Sequence, residues 1–177
     1  MPILINPVIT TTTITGLSHL EGEEVVVWAD GADVGTDDTV SPCVQKYKVV
    51  GGEVVLDKVV QYAVVGLPYT AQFKSSKLGS QSQEGSPLNQ QKKIGHIGLI
   101  LAYLHHKGLK FGPSFDALDD MPQMESGTDV ADYEATYDEN LIEFPGTWTT
   151  DLRICLQAQA PRPVTVMALT PDMVRFS

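Results

Sequence analysis

Short runs of β-branched residues, each ended by glycine or proline, dominate this sequence and restrict it to folds built from strands. Residues 25–28 (Val-Val-Val-Trp) form one such run, and an Asp-Gly turn dipeptide follows it at residues 30–31. Two glycines at residues 51–52 separate the runs at 47–50 and 53–56, and glycine supplies the positive φ angles of a tight hairpin turn. We predict a strand from each run.

The β signal continues through the rest of the chain. The run at residues 59–65 ends at the Gly-Leu-Pro-Tyr of residues 66–69, because proline cannot donate a hydrogen bond to a strand ladder. As a helix, residues 92–105 would carry two glycines, each costing about 1 kcal/mol relative to alanine, so we predict a strand whose alternate residues form two faces. Residues 152–160 alternate most regularly, and a last strand is expected to begin in residues 164–169.

These patterns predict an all-β fold, a compact sandwich or barrel-like arrangement of about eight short strands, rather than an α/β enzyme fold. We expect residues 1–15 to form an N-terminal arm and residues 16–177 to form a β-rich domain, with a subdivision near 70–90. The serine-, glycine- and glutamine-rich residues 75–91 predict a long polar hairpin loop.

The charge balance is acidic, with 12 Lys and Arg against 22 Asp and Glu and a formal net charge of −10. The basic residues are scattered, whereas proteins that hold nucleic acid cluster them. We therefore expect no specific binding of nucleic acid. No apolar run reaches the ~18 residues of a membrane-spanning helix, so we expect no membrane anchor, and the N-terminus lacks the features of a cleaved secretory signal.

Motifs for catalysis or for cofactor binding do not emerge from the sequence, and we expect no enzyme activity, no cofactor and no metal. The histidines lack zinc-site spacing, and the acids of residues 116–143 lack EF-hand spacing, which favours a solvated acidic face. Cys155 lies in an alternating strand pattern and is expected to be a packed thiol, and Cys43 has no neighbouring histidine in the sequence. Paired carboxylates for glycoside hydrolysis stay open as an alternative, because their separation is spatial.

Several motifs together carry a resemblance to a known family. Residues 16–25 (Gly-Leu-Ser-His-Leu-Glu-Gly-Glu-Glu-Val) are followed by Ala-Asp-Gly at residues 29–31 and by Val-Gly-Leu-Pro-Tyr at residues 65–69. This order resembles the signature of phage tail proteins, the tubular or nozzle proteins of short-tailed phages. The resemblance extends over about residues 16–170. The signature region is also similar in fold to the first catalytic-cysteine half-domain of ubiquitin-activating enzymes, a similarity of fold and not of catalysis.

The resemblance implies a virion structural protein, assembled in the host cytoplasm into a closed homo-oligomeric ring of sixfold symmetry around the channel through which DNA is ejected. Its neighbours would be other tail proteins, such as an adaptor and a tail fibre or spike, and DNA would pass without being specifically bound. In the family this region ends a much longer chain, so we expect a separately encoded or shortened relative. The alternatives are a peripheral tail module that binds a host surface glycan or another tail protein, and a tail-associated hydrolase.

The signature residues that the resemblance singles out as structural are Gly16, His19, Leu20, Glu21, Gly22, Asp30, Gly31, Gly66, Leu67, Pro68, Tyr69 and Trp148. We expect Leu17 and Leu20 to be buried anchors, His19 to be a turn residue, and Glu21 or Glu23 to cap nearby amides. Tyr69 has two readings, an amphipathic ring at a contact or a core tyrosine. The acids that would face a channel are Asp116, Asp119, Asp120, Asp129 and Asp132.

Overall fold

The computed structural model describes residues 10–37, 44–79, 90–105, 107–122 and 134–175. These residues form fifteen strands, and the only helical segment among them is a 3₁₀ turn at Ser18–Leu20. The strands are β1 (Thr11–Ile14), β2 (Glu24–Ala29), β3 (Ala32–Asp33), β4 (Thr36–Asp37), β5 (Val44–Gln45), β6 (Tyr47–Lys48), β7 (Val54–Val60), β8 (Ala63–Gly66), β9 (Thr70–Lys74), β10 (Lys92–Leu104), β11 (Leu109–Ser114), β12 (Ala117–Asp120), β13 (Glu134–Glu143), β14 (Cys155–Gln159) and β15 (Thr165–Arg175).

The predicted all-β fold is confirmed, since more than half of the described residues lie in strands. The described residues form more strands than the eight or so predicted, and four of the fifteen contain only two residues each. The chain divides into two compact units, residues 1–69 and residues 70–177. Strand β1 lies within the predicted N-terminal arm and pairs with β7, whereas residues 1–9 lie outside the described ranges.

The first unit is built around β2, whose central valines are buried. Antiparallel partners of β2 are β3, β6 and β8, while β1 pairs with β7 and β4 pairs with β5. The Asp-Gly hairpin after β2 and the Gly-Gly turn before β7 both form as predicted. Its buried core consists of Leu17, Val25, Val27, Ala29, Tyr47, Val49, Val54, Leu56 and Val60.

The run at residues 59–65 is divided rather than continuous, which corrects the sequence-based prediction. Strand β7 ends at Val60 and β8 begins at Ala63, so that Gln61 and Tyr62 form the break. The cause is Asp30, whose carboxylate accepts hydrogen bonds from the backbone N–H groups of both residues. A tertiary contact therefore ends a strand that β propensity alone would extend.

The second unit consists of two antiparallel sheets that share one hydrophobic core, as in a sandwich. The strand order is β12-β11-β14-β9 in the four-stranded sheet and β13-β10-β15 in the three-stranded sheet. The rings of Phe111 on β11 and Phe144 after β13 meet in the core with centroids 6.2 Å apart. The core consists of Ile94, Ile97, Leu99, Leu101, Leu104, Leu109, Phe111, Met121, Ile142, Phe144, Leu152, Ile154 and Leu156.

Strand β10 forms as predicted, but its faces are not the simple alternation that the sequence suggests. The register with β15 shifts between Ile94 and His96, so that Ile94 is buried on the same side as Ile97 rather than with His96. At the other end Tyr103 has a φ of 53°, and burial moves from Leu101 to Leu104. The register shift and the positive φ of Tyr103 thus each change which alternate residues of β10 face the core.

Strand β14 is shorter than predicted, whereas β15 begins at Thr165, within the range predicted for its start. Strand β14 begins only at Cys155, because the backbone carbonyls of Leu152 and Ile154 accept hydrogen bonds from an irregular segment, from the N–H groups of Leu78 and Ser75. The first residues of the predicted polar loop therefore pack against the core, while residues 80–89 of that loop lie outside the described ranges. The last strand continues beyond residue 169 to Arg175.

Candidate functional site

Glu21 joins the signature segment to the Gly-Gly turn. Its two carboxylate oxygens accept hydrogen bonds from the backbone N–H groups of Gly51 and Gly52, at 2.9 and 2.6 Å. The prediction that Glu21 caps nearby amides is thus confirmed. The same turn is tied to the segment a second time, because the N–H of Leu17 donates to the carbonyl of Gly52 at 2.9 Å. The role of this part of the signature is to fix two turns against each other.

Asp30 performs the same task at the other end of β2. Its carboxylate accepts hydrogen bonds from the N–H of Tyr62 at 2.9 Å and from the N–H of Gln61 at 3.1 and 3.2 Å. In return, the N–H of Asp30 donates to the carbonyl of Tyr62 at 3.0 Å. The N–H groups of Tyr62 and Gln61, and to a smaller degree the positive charge of Lys58, hold the pKa of Asp30 below its ordinary value of 3.8.

The remaining residues of this signature segment have backbone or packing roles. Gly16 and Gly22 both have positive φ angles, 85° and 81°, a conformation that favours glycine. Leu17 is buried as expected, while Leu20 is half-buried against the same core. His19 is exposed in the 3₁₀ turn, which agrees with its interpretation as a turn residue.

A group of exposed apolar side chains lies along β7, the turn that Asp30 holds and β8, although β7 and β8 pair in different sheets. We call it the valine–tyrosine surface, and it consists of Val55, Val59, Tyr62 and Val64. Tyr62 is 80% exposed and Val64 is 70% exposed. Single exposed apolar residues are ordinary on proteins, whereas four of them within ten residues of chain make this stretch a candidate surface for contact with another protein. The signature residue Asp30 thus positions part of a candidate contact surface.

The second signature motif, at residues 66–69, lies at the end of the first unit. Gly66 ends β8, and Leu67, Pro68 and Tyr69 follow as exposed residues. Tyr69 is 66% exposed, which overturns its interpretation as a core tyrosine. Trp148 lies between β13 and β14 and is also exposed, close to Thr149, which pairs with Lys92 through its backbone.

Three of the five predicted channel acids lie within the described residues. Asp116, Asp119 and Asp120 are exposed in β12 and in the turn before it. Asp120 forms an ion pair of 2.9 Å with Lys110 on the neighbouring strand. Asp129 and Asp132 lie outside the described residues. The acids that can be described therefore occupy one edge of the four-stranded sheet.

An open apolar groove of about 440 Å³ lies in the second unit, and the sequence analysis did not anticipate it. It runs between β9 and β14 on one side and β15 on the other, and its apolar lining includes Ala71, Phe73, Leu156, Ala158, Val166 and Leu169. Phe73 is 54% exposed at its margin. The alternation of Thr-Ala-Gln-Phe-Lys after Pro68 was the available signal for β9, but five residues are too few to distinguish an edge strand from a loop.

Among the described residues of the second unit, the side chains of Cys155, Lys92 and His105 are titratable and buried. Burial raises the pKa of the Cys155 thiol, whose Sγ lies 3.7 Å from the carbonyl oxygen of Pro113, so this cysteine is a packed thiol as predicted. Lys92 and His105 are buried as well, and burial lowers the pKa of Lys92. His105 lies in the turn between β10 and β11, where its carbonyl accepts a hydrogen bond from the N–H of Gly108 at 2.7 Å. Cys43 lies outside the described residues.

Within the described ranges, no three His, Cys, Asp or Glu side chains gather in a way that could hold a metal ion. In the same part of the chain, no helix has both the length and the apolar character needed to cross a membrane. The chain matches no known protein family, and no curated protein is significantly similar to it.

Proposed function

We propose that this protein is a structural subunit of a phage tail, in which several copies form a ring around the channel for DNA. The observation that carries the proposal is the valine–tyrosine surface, because exposed apolar side chains grouped in one stretch of chain are stabilised when a neighbouring subunit covers them. The resemblance of the signature motifs to tail tubular and nozzle proteins supplies the biological setting. In this setting Glu21 and Asp30 are structural residues that hold the loops of the contact surface.

The acidic composition agrees with such a role. A ring through which a genome passes gains nothing from binding it, because each contact between lysine and phosphate would hold the moving duplex. With a net charge of −10, the subunit repels phosphate groups rather than attracting them.

Images of purified virions test this proposal. We expect a particle-averaged reconstruction of the tail to contain this chain in several symmetry-related copies on the tail axis. Mass measurement of intact tails gives the copy number independently. One copy per virion, or density only at the periphery, would contradict the ring.

The exposed tyrosines favour one second candidate, a peripheral module that binds a glycan or another tail protein. Tyr62 and Tyr69 present their rings to solvent, and exposed aromatic rings are common contact groups in binding sites. Peripheral density in the same reconstruction, together with loss of host binding in a Tyr62→Ala variant, would support this candidate over the ring.

A further inference from the structure

The two outer strands of the four-stranded sheet differ in charge. Strand β9 lies at one edge, and its only charged residue is Lys74. Strand β12 lies at the other edge and carries Asp119 and Asp120, with Asp116 in the turn before it. Within the described residues neither strand has a partner on its outer side. One sheet therefore presents a basic edge and an acidic edge.

Strand β9 lacks two of the features that protect a free edge, a proline and a β-bulge. All five of its residues are exposed, and it contains no proline and pairs with β14 without a bulge. Ser75 and Ile154 continue the register of β9 with β14, and the N–H of Ser75 donates to the carbonyl of Ile154 at 2.9 Å. Since hydrogen-bonded pairs alternate along an antiparallel ladder, the backbone groups of Gln72 and Lys74 point to the open side.

Strand directions decide which edges can join when copies follow each other head to tail. Neighbouring strands are antiparallel throughout the four-stranded sheet, so β9 and β12 run in opposite directions. Rotation about an axis along the strands keeps these directions, and β9 of one copy would therefore meet β12 of the next as an antiparallel partner. In the three-stranded sheet the outer strands β13 and β15 run the same way, so the same operation would pair them in parallel.

We propose that β9 of one copy pairs with β12 of a second copy, so that the four-stranded sheet continues from subunit to subunit. The partner is thus another copy of this chain, chosen by the opposite charges of the two edges. Such a head-to-tail contact forms a ring where the rotation closes. The proposal rests on the proposed ring function and adds the contact that builds the ring.

The register with the greatest overlap places Lys74 opposite Asp116 and Thr70 opposite Asp120. It also preserves the faces of the sheet. Phe73 lies on the face of Leu156 and Phe111, as does Asp119, because these residues are paired across β14, β11 and β12. The acids of β12 then lie at a subunit contact rather than on a channel wall.

Charge reversal tests the contact directly. We expect Lys74→Glu and Asp116→Lys each to weaken self-association by about tenfold in low salt, and the double variant to recover it, because the double variant restores opposite charges. Lys48→Glu makes the same chemical change on β6, at an exposed residue outside β9, β12 and the valine–tyrosine surface, and should leave association unchanged. Sedimentation velocity measures the association, and circular dichroism verifies the fold of each variant.

A backbone variant tests the strand pairing itself. Gln72→Pro removes the N–H that points to the open side, whereas Gln72→Ala loses the same side-chain hydrogen bond to Gln157 and keeps the N–H. We expect only the proline variant to lose association. Equal association of the two variants, absence of recovery in the charge-swapped double variant, or a wild-type chain that stays monomeric at the highest attainable concentration would overturn the proposal.

The outcomes separate this contact from the proposed function. If tail images contain an axial ring but the edge variants associate normally, the ring uses another contact and only this inference fails. If the chain lies at the periphery of the tail but the edge variants lose association, the contact stands and the ring function fails.

Discussion

Two carboxylates, Glu21 and Asp30, hold the first unit together at the scale of single residues. Each accepts hydrogen bonds from the N–H groups of two consecutive residues in a turn about 30 positions later in the chain. Glu21 meets the expectation that Glu21 or Glu23 caps backbone amides. The sequence does not show which amides Glu21 and Asp30 cap, because the turns that carry these amides come close only after the intervening strands have paired.

Acid titration tests the role of Asp30. Its folded-state pKa lies below 3.8, so the unfolded chain binds more protons and the free energy of unfolding rises with pH in this region. The contribution is complete above pH 3.8 and is lost as the pH falls below that value through the folded-state pKa. We expect Asp30→Asn to be less stable than the wild type at neutral pH, with a difference that shrinks in acid.

Urea unfolding midpoints measured from neutral pH to about pH 2 check this expectation. Glu53→Gln serves as the control, because Glu53 is exposed in the same unit and its side chain makes no hydrogen bond to the described residues. A difference between wild type and Asp30→Asn that stays constant throughout the acid range would argue against a role for the ionised carboxylate.

At the scale of elements, strand β10 marks the limit of what periodicity can predict. The choice of a strand over a helix at residues 92–105 was correct, since two glycines oppose a helix. Strict alternation of buried and exposed residues fails at Ile94 and Leu104. A register shift near Ile94 and the positive φ of Tyr103 each change which side of the strand the following residues occupy. Such shifts depend on the neighbouring strands, and the residues of β10 alone carry no signal for them.

The hairpin of β11 and β12 depends on a glycine. A Cβ atom at Gly112 would overlap the backbone carbonyl oxygen of Ala117, whereas a Cβ atom at Gly95 on β10 would meet open space. We expect Gly112→Ala to lower the free energy of unfolding by about 1–3 kcal/mol, as overpacking does, and Gly95→Ala to change it little. Urea denaturation of the full chain measures both. Equal stability of the two variants would mean that the hairpin relaxes without cost.

At the scale of the whole molecule, the fold class was predictable, and the subdivision expected near residues 70–90 lies next to the boundary at residues 69–70. Regular alternation and frequent Gly and Pro turns identify an all-β chain wherever they occur. The boundary at residues 69–70 falls between Tyr69 and β9, where the sequence continues without a flexible linker composition. The groove and the sheet edges without a described partner could not be predicted from the sequence, because strands far apart in the chain form them.

Separate cores predict separate unfolding. Leu56 belongs to the core of the first unit and Leu101 to that of the second, and the two cores share no residue. We expect Leu56→Ala and Leu101→Ala each to cost about 2–5 kcal/mol, and each to lower only the calorimetric transition of its own unit. A single transition that both variants lower together would indicate that the units unfold as one.

The number of residues between two hydrogen-bonded partners also determines how long the first waits for the second during synthesis. In the first unit, Asp30 and Tyr62 are separated by 32 residues, so a ribosome adding 5–20 residues per second supplies the partner within roughly 2–6 s. Gln72 of β9 and Gln157 of β14 are 85 residues apart, a delay of roughly 4–17 s. During that interval the nascent chain carries β9 and Phe73 without the strand that will flank them, so aggregation is most probable while the intervening residues are translated.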